Sequence, residues 1–302
     1  MHEFQYKNIN ITEDSKIIIA LGDSFTQGQG AAPEHIWEKF NWDAEKMYNH
    51  NEVMPEEYEG SWVHQLCKNH MPDWIPINMG QRGCGNRAAI KDIYLHPKLN
   101  LELAKEKIVV FMISGIERFD FVNRDFLPQF HFFSMWPWPG SNDEKNNPLW
   151  SFYGENIWSD SFGMVELLLN LAEARVWCKA NNAKLIITSA FSDTLLRSKF
   201  KNIKRKSKTN SIVSDLDKNI DWDDVLYPKG YNCMTDYLVN LEERPDLMGM
   251  GFYFWAMGME KYSPKGYFTK CAHPSYKGHG VIAECIYEFI QGKKYSPRTK
   301  ML

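Results

Sequence analysis

The chain has 302 residues, 44% hydrophobic and 24% charged, enough apolar material for one large core. A formal net charge of −3 and a sequence pI of about 6.3 exclude the broad basic surface of a general nucleic-acid binder. Six cysteines, at 67, 84, 178, 233, 271 and 285, form neither a CxxC pair nor a dense framework, so reduced thiols in a cytoplasmic compartment are expected. The opening "MHEFQYKNINITEDSK" has no apolar core, so no signal peptide is expected, and the uncharged run 247–259 is too short to span a bilayer.

In chain order, "KIIIALG" (16–22) reads as a buried strand: short, apolar, β-branched and ended by glycine. "WIPIN" (74–78), "KIVVFMISG" (107–115) and "AKLIITSAF" (183–191) read as three more. Residues 161–180 place Met164, Val165, Leu168, Leu171, Ala172 and Val176 at helical spacing and stop at "ANNAK". A last helix over about 275–291 gathers Val281, Ile282, Cys285, Ile286, Phe289 and Ile290, with Ser275 as its cap. Apolar strands alternating with helices predict a doubly wound α/β domain. The expectation is a parallel sheet of about five strands in flavodoxin-like order, covered on both faces as three layers. Two stretches break the pattern and read as insertions on a single domain spanning 1–302. Residues 124–160 are rich in Trp, Pro and Asn; 197–250 start basic and turn acidic.

Ligands in such sheets bind at the carboxyl ends of the strands. Ser24, in "GDSFTQG", directly follows the first strand. It is either a helix cap or a nucleophile presented at that edge, where the backbone N–H groups of the following turn also face an anion. "INMGQRGCGNRAAI" (77–90) follows the second strand and carries Asn78, Gly80, Gly83 and Asn86; its glycines suit turns or close backbone approach to a ligand. In "CAHPSYKGHG" (271–280), His273 precedes a proline, which biases it to extended geometry at the mouth of the last helix. His279 reads as structural. Nucleotide binding through "GDSFTQGQG" is a poor reading, because neither G-x-G-x-x-G nor a following Gly-Lys-Ser/Thr is present. The basic run Arg197–Lys208 reads as a solvated loop.

Taken together, "GDSF", "NMGQRG" and "HPSYKGH" resemble the first, second and last sequence blocks of the SGNH, or GDSL-type, hydrolases, over about residues 16–291. The "SFTQG" start, Glu117-Arg118-Phe119 and the His-Pro end look like SGNH-like proteins of phage and marine bacterial genomes. The resemblance implies a serine esterase without cofactor or metal. Ser24 would be its nucleophile and His273 its base, with the N–H groups of Ser24 and Gly83 around the oxyanion. The substrate would be a small-molecule or carbohydrate ester, with no nucleic acid or membrane span involved.

Two departures stand against this. The third block reads Gly115-Ile116-Glu117-Arg118, with Glu117 where the family has an oxyanion asparagine; Asn86 and Arg118 are the substitute donors available. Arg118 is better explained by an ion pair with a neighbour such as Asp120. The positions that usually hold the triad acid are Lys270 and Cys271, leaving Asp193, Glu117 or a backbone carbonyl to support His273. A nearby Lys270 would hold His273 neutral. Trp136, Trp138 and Trp150 either stack a sugar ring or build a satellite core. The alternative to an esterase is an SGNH-fold binding or structural module that has lost catalysis.

Overall fold

In a computed structural model of the chain, the residues described are 9–43, 46–47, 53–116, 118–122, 132–135, 159–190, 218, 220–244 and 261–297. The strands are β1 (Lys16–Leu21), β2 (Trp74–Asn78), β3 (Glu106–Ile113), β4 (Phe119–Val122), β5 (Phe132–Met135) and β6 (Ala183–Ser189). The helices are α1 (Ser24–Gln27), α2 (Glu34–Lys39), α3 (Val53–Gly60), α4 (Trp62–His70), α5 (Asn86–Leu95), α6 (Asp160–Ala180), α7 (Met234–Leu241) and α8 (Tyr276–Ile290).

Four strands form a parallel sheet in the order β2-β1-β3-β6, with Ile19 of β1 opposite Ile77 and Val109. Successive side chains on a strand point to opposite faces, so an uninterrupted apolar strand needs cover on both. Ile17, Ile19 and Leu21 of β1 pack with Val109, Phe111, Leu185 and Ile187 beneath α5 and α6. Ile18 and Ala20 pack with Val110, Met112 and Ile186 beneath α4, α7 and α8. The three layers follow from that division, and residues 17–21 are fully buried as a result.

About five strands were expected in the sheet; four are found among the described residues. At the fifth position a single parallel bridge joins Val225 to Ile187, and Leu226 N–H donates to the Ile187 carbonyl (2.8 Å). Pro228 opens a 3-10 turn three residues on and ends the pairing. Val225, Leu226, Met234 and Leu238 all lie in the two main core clusters, so residues 220–244 of the second predicted insertion pack against the sheet itself. β4 and β5 pair antiparallel as a separate ribbon that the sequence reading did not foresee.

α6 is capped by Ser159, whose Oγ accepts from Phe162 N–H (3.1 Å), and Ser275 caps α8 in the same way through Gly278 N–H (3.1 Å). Val176, expected on the buried face of α6, is 65% exposed; Leu167, Ala174 and Cys178 take the buried positions instead. A third, small cluster joins Ala32, Trp37, Trp42, Met47 and Val53, with Tyr262 and Cys271 against it. The rings of Trp37 and Trp42 stack at 5.5 Å. No described helix is long and apolar enough to cross a membrane.

The loop leading to His273 hangs on a buried carboxylate. Glu242, 3% exposed, accepts from Ser263 Oγ, Lys265 N–H (2.8 Å) and Tyr267 N–H (2.8 Å). Replacing it strands three donors. Glu242→Ala is therefore expected to lower the unfolding free energy by roughly 2–3 kcal/mol in urea titration; an unchanged midpoint would show that the loop does not need it.

Candidate active site

The site forms where the chain leaves β1, β2 and β3 at their carboxyl ends. β1 runs into α1, a single turn of four residues, all buried. Its cap is Asp23, whose Oδ1 accepts from Phe25 N–H (3.0 Å). The capping alternative for Ser24 is thereby answered, because the neighbouring residue does that job. Ser24 is the first residue of α1, and its Oγ lies 2.9 Å from Nε2 of His273, 249 positions away. The other ring nitrogen, Nδ1, is 3.0 Å from the backbone carbonyl of Cys271. A carbonyl only accepts, so Nδ1 carries the proton and Nε2 offers its lone pair to the serine hydroxyl.

The carbonyl is aimed by a tight turn. Thr269 N–H donates to the His273 carbonyl (2.9 Å), Ala272 N–H donates to that of Thr269 (2.8 Å), and Ala272 adopts φ +62°. Gly30, at φ +92°, lies against this turn; a Cβ there would sit 2.7 Å from the Pro274 carbonyl and 3.0 Å from His273 Cβ.

His273 is buried, and burial pushes its pKa down to about 3; the Cys271 carbonyl opposes this, while Arg82, His279 and Arg118 push the same way. These are the groups that hold the ring neutral. The expectation for Lys270 differs: it is exposed and is not among them. His279, also fully buried, accepts from Trp62 N–H through Nδ1 (3.2 Å), which supports its structural reading.

The loop after β2 is laid against α1. Met79 N–H donates to the Ala20 carbonyl (2.9 Å) and Gln81 N–H to that of Gly22 (3.1 Å). Asn78 donates to the Gln27 carbonyl (3.1 Å) and accepts from Gly80 N–H (3.0 Å). At the tip Gly83 is exposed, with φ +72° and open space over its Cα. Among the described residues, neither Ser24 N–H nor Gly83 N–H has a protein acceptor.

Two expected donors are otherwise engaged. Asn86 is 5% exposed; its Oδ1 accepts from Ser114 N–H (2.9 Å), and its Nδ2 faces the Ser114 and Gly115 carbonyls (3.5 Å each). It fastens the end of β3 to α5, so an oxyanion role would require breaking those bonds. Arg118 pairs with Asp23, Nη1 to Oδ2 at 2.8 Å. The expected partner, Asp120, instead accepts from Gly85 N–H (2.7 Å) and Ala88 N–H (2.9 Å) at the start of α5. Burial pushes the Asp23 carboxyl up, and Arg118 pulls it back. Arg82 forms a second pair with the buried Glu57 beside the same loop.

Glu117, Asp193, Trp136, Trp138 and Trp150 lie outside the described residues. Among the described residues no group of three or more His, Cys, Asp or Glu is placed to hold a metal ion. All six cysteines are free thiols. The sequence reading missed the Asp23–Arg118 and Glu57–Arg82 pairs, whose partners lie 95 and 25 positions apart with no periodic signal. It also treated Cys271 as a side chain, whereas its carbonyl is what meets the histidine.

Neither a scan against protein-family models nor a search of curated proteins finds a match. Among solved structures, the chain is similar to a member of the lipolytic G-D-S-L family from Veillonella parvula, at 13% identity over 91% of this chain and 97% of that one, TM-score 0.38. It is similar to the psychrotrophic esterase EstA from Pseudoalteromonas, at 12% identity over 92% and 98%, TM-score 0.39. A third is an α/β hydrolase enzyme from the metagenome of Lake Arreo, Spain, at 14% identity over 94% and 98%, TM-score 0.42.

Gly80 tests the seat of the loop. A Cβ there would lie 2.2 Å from Gln27 N and 2.6 Å from the Thr26 carbonyl carbon, both backbone atoms. Gly80→Ala should cost roughly 1–3 kcal/mol of stability by overpacking, measured by thermal unfolding; a neutral substitution would mean that the loop is not seated on α1.

Proposed function

We propose that the protein is a serine ester hydrolase in which Ser24 attacks the carbonyl carbon and His273 is the general base. The observation that carries this reading is the 2.9 Å contact between Ser24 Oγ and His273 Nε2, with the opposite ring nitrogen bonded to a carbonyl. A serine hydroxyl is a poor nucleophile until a base takes its proton. Neutral His273 takes that proton at Nε2 as Oγ bonds to the ester carbon. The negative charge moves to the carbonyl oxygen, where the N–H groups of Ser24 and Gly83 are the available donors; each such donor contributes about 3 kcal/mol to the transition state. The imidazolium then gives its proton to the departing alcohol, and a water molecule repeats the sequence on the acyl-serine, releasing the acid and restoring Ser24.

The Cys271 carbonyl replaces the orienting part of a triad acid but not its full negative charge. It fixes the tautomer and ring angle, and it offsets the imidazolium only as a dipole. Loss of the acid's charge and correct tautomer together costs on the order of 10⁴ in turnover in the serine-protease template. With the tautomer retained here, a slow but real hydrolase is the expected outcome. The substrate class within this reading is a short acyl ester such as an acetylated carbohydrate, scored by acetate release from acetylated xylo-oligosaccharides against a long-chain acyl ester.

A fluorophosphonate probe should label Ser24, and Ser24→Ala should abolish the labelling. A well-folded wild-type protein that resists the probe would instead indicate a binding module. Labelling rate should also stay nearly flat from pH 8 to pH 5. The His273 pKa is depressed to about 3, so the ring remains the neutral base as pH falls through its ordinary range. A halving of the rate centred near pH 6.5 would contradict a buried, neutral histidine.

A further inference from the structure

We infer that Arg118 is a positioning residue that clamps the Ser24 turn to the Gly83 loop, so that the two free amide N–H groups stay on one side of the point of attack. The inference rests on the hydrolase reading for its catalytic consequence, and on geometry alone for the clamp. One nitrogen, Nη1, donates to Asp23 Oδ2 at 2.8 Å and to the Cys84 carbonyl at 2.9 Å. Asp23 immediately precedes Ser24, and Cys84 immediately follows Gly83. The side chain is 6% exposed and its partner carboxylate 0% exposed, so the contact is closed to solvent.

Among the described residues, the other bonds between these segments fall to either side: Asn78 reaches the Gln27 carbonyl at the far end of α1, while Arg118 meets the residues next to Ser24 and Gly83. Cys84 Sγ and Gln81 N–H both reach the Gly22 carbonyl, on the strand side of the turn. Asp120 holds the far end of the loop through Gly85 and Ala88 N–H. Asp23 spends its other oxygen on Phe25 N–H, which keeps α1 wound behind the nucleophile. Arg118 comes from the exit of β3, so this single cation joins the chain segments that follow β1, β2 and β3. A guanidinium suits the task because it stays charged at any relevant pH and presents its N–H bonds in a fixed plane.

A charge pair of this kind also contributes to stability, and the two roles separate experimentally. Arg118→Met leaves the buried Asp23 carboxylate uncompensated and should lower the melting temperature. The double variant Asp23→Asn/Arg118→Met removes both charges and keeps a capping residue on α1, so its melting temperature should recover toward wild type. A clamp is not restored by neutralising its ends. In the double variant, hydrogen exchange at Thr26, Gln81 and Cys84, whose amides are bonded within and between these segments, should remain about tenfold or more faster than in wild type, with β3 unaffected. Fluorophosphonate labelling of Ser24 should remain about tenfold or more slower. Wild-type exchange in both loops, or wild-type labelling by the double variant, would overturn the inference and leave the pair a stabilising contact only. If wild-type protein is not labelled at all, the hydrolase reading fails, and the exchange arm alone decides the clamp.

Discussion

The imidazole of His273 can face Ser24 as an acceptor only while its other nitrogen keeps a proton, and the Cys271 carbonyl is what keeps it there. A hydrogen bond to a carbonyl stabilises one neutral tautomer without attracting a second proton strongly. Burial adds to this by making the charged ring costly. Under the proposed mechanism, the arrangement favours a ready base at rest and supplies less stabilisation once the imidazolium forms. A carboxylate would shift that balance toward the charged state. Much of the surrounding structure serves to hold one carbonyl at one angle. The turn 269–273 closes on itself, Gly30 lets the chain that follows α1 approach it, Glu242 anchors its leading loop, and the Trp37–Trp42 cluster packs against Cys271.

The opposite wall of the site depends on the parallel sheet. Adjacent strands β2, β1 and β3 end at one edge, so the segments that leave them start out as neighbours. That topology brings Ser24, Gly83 and Arg118 together from positions spread over 95 residues. The same edge collects unusual buried charge. Asp23 and Glu57 are fully buried carboxylates, each answered by an arginine from a different segment. Such pairs add little net stability over an apolar core, yet breaking one is costly, which makes them effective at fixing relative position.

The frame was readable in the sequence because it rests on local pattern. The uninterrupted runs at 16–21, 74–78, 106–113 and 183–189 announce strands buried on both faces, and Ser275 marks the start of the last helix by the chemistry of capping. Val176 misled because apolar spacing alone cannot say which side of a helix meets the sheet. The fifth strand was overcounted because the pairing there shrinks to one bridge at Val225. At the site, Ser24 and His273 were singled out by their places at a strand end and before a proline. A backbone carbonyl was among the supports expected for His273, but not which one, since a carbonyl leaves no mark on the side-chain alphabet. The bent turn that aims it depends on Ala272 at positive φ, a residue type that gives no warning of that conformation.

The most direct measurement of the central claim is the protonation state of the two ring nitrogens of His273, read by nitrogen-15 NMR on histidine-labelled protein at neutral pH and assigned with His273→Gln. The account predicts a neutral ring with the proton on Nδ1 and a bare Nε2 facing Ser24. A proton found on Nε2, or a ring charged at neutral pH, would contradict it.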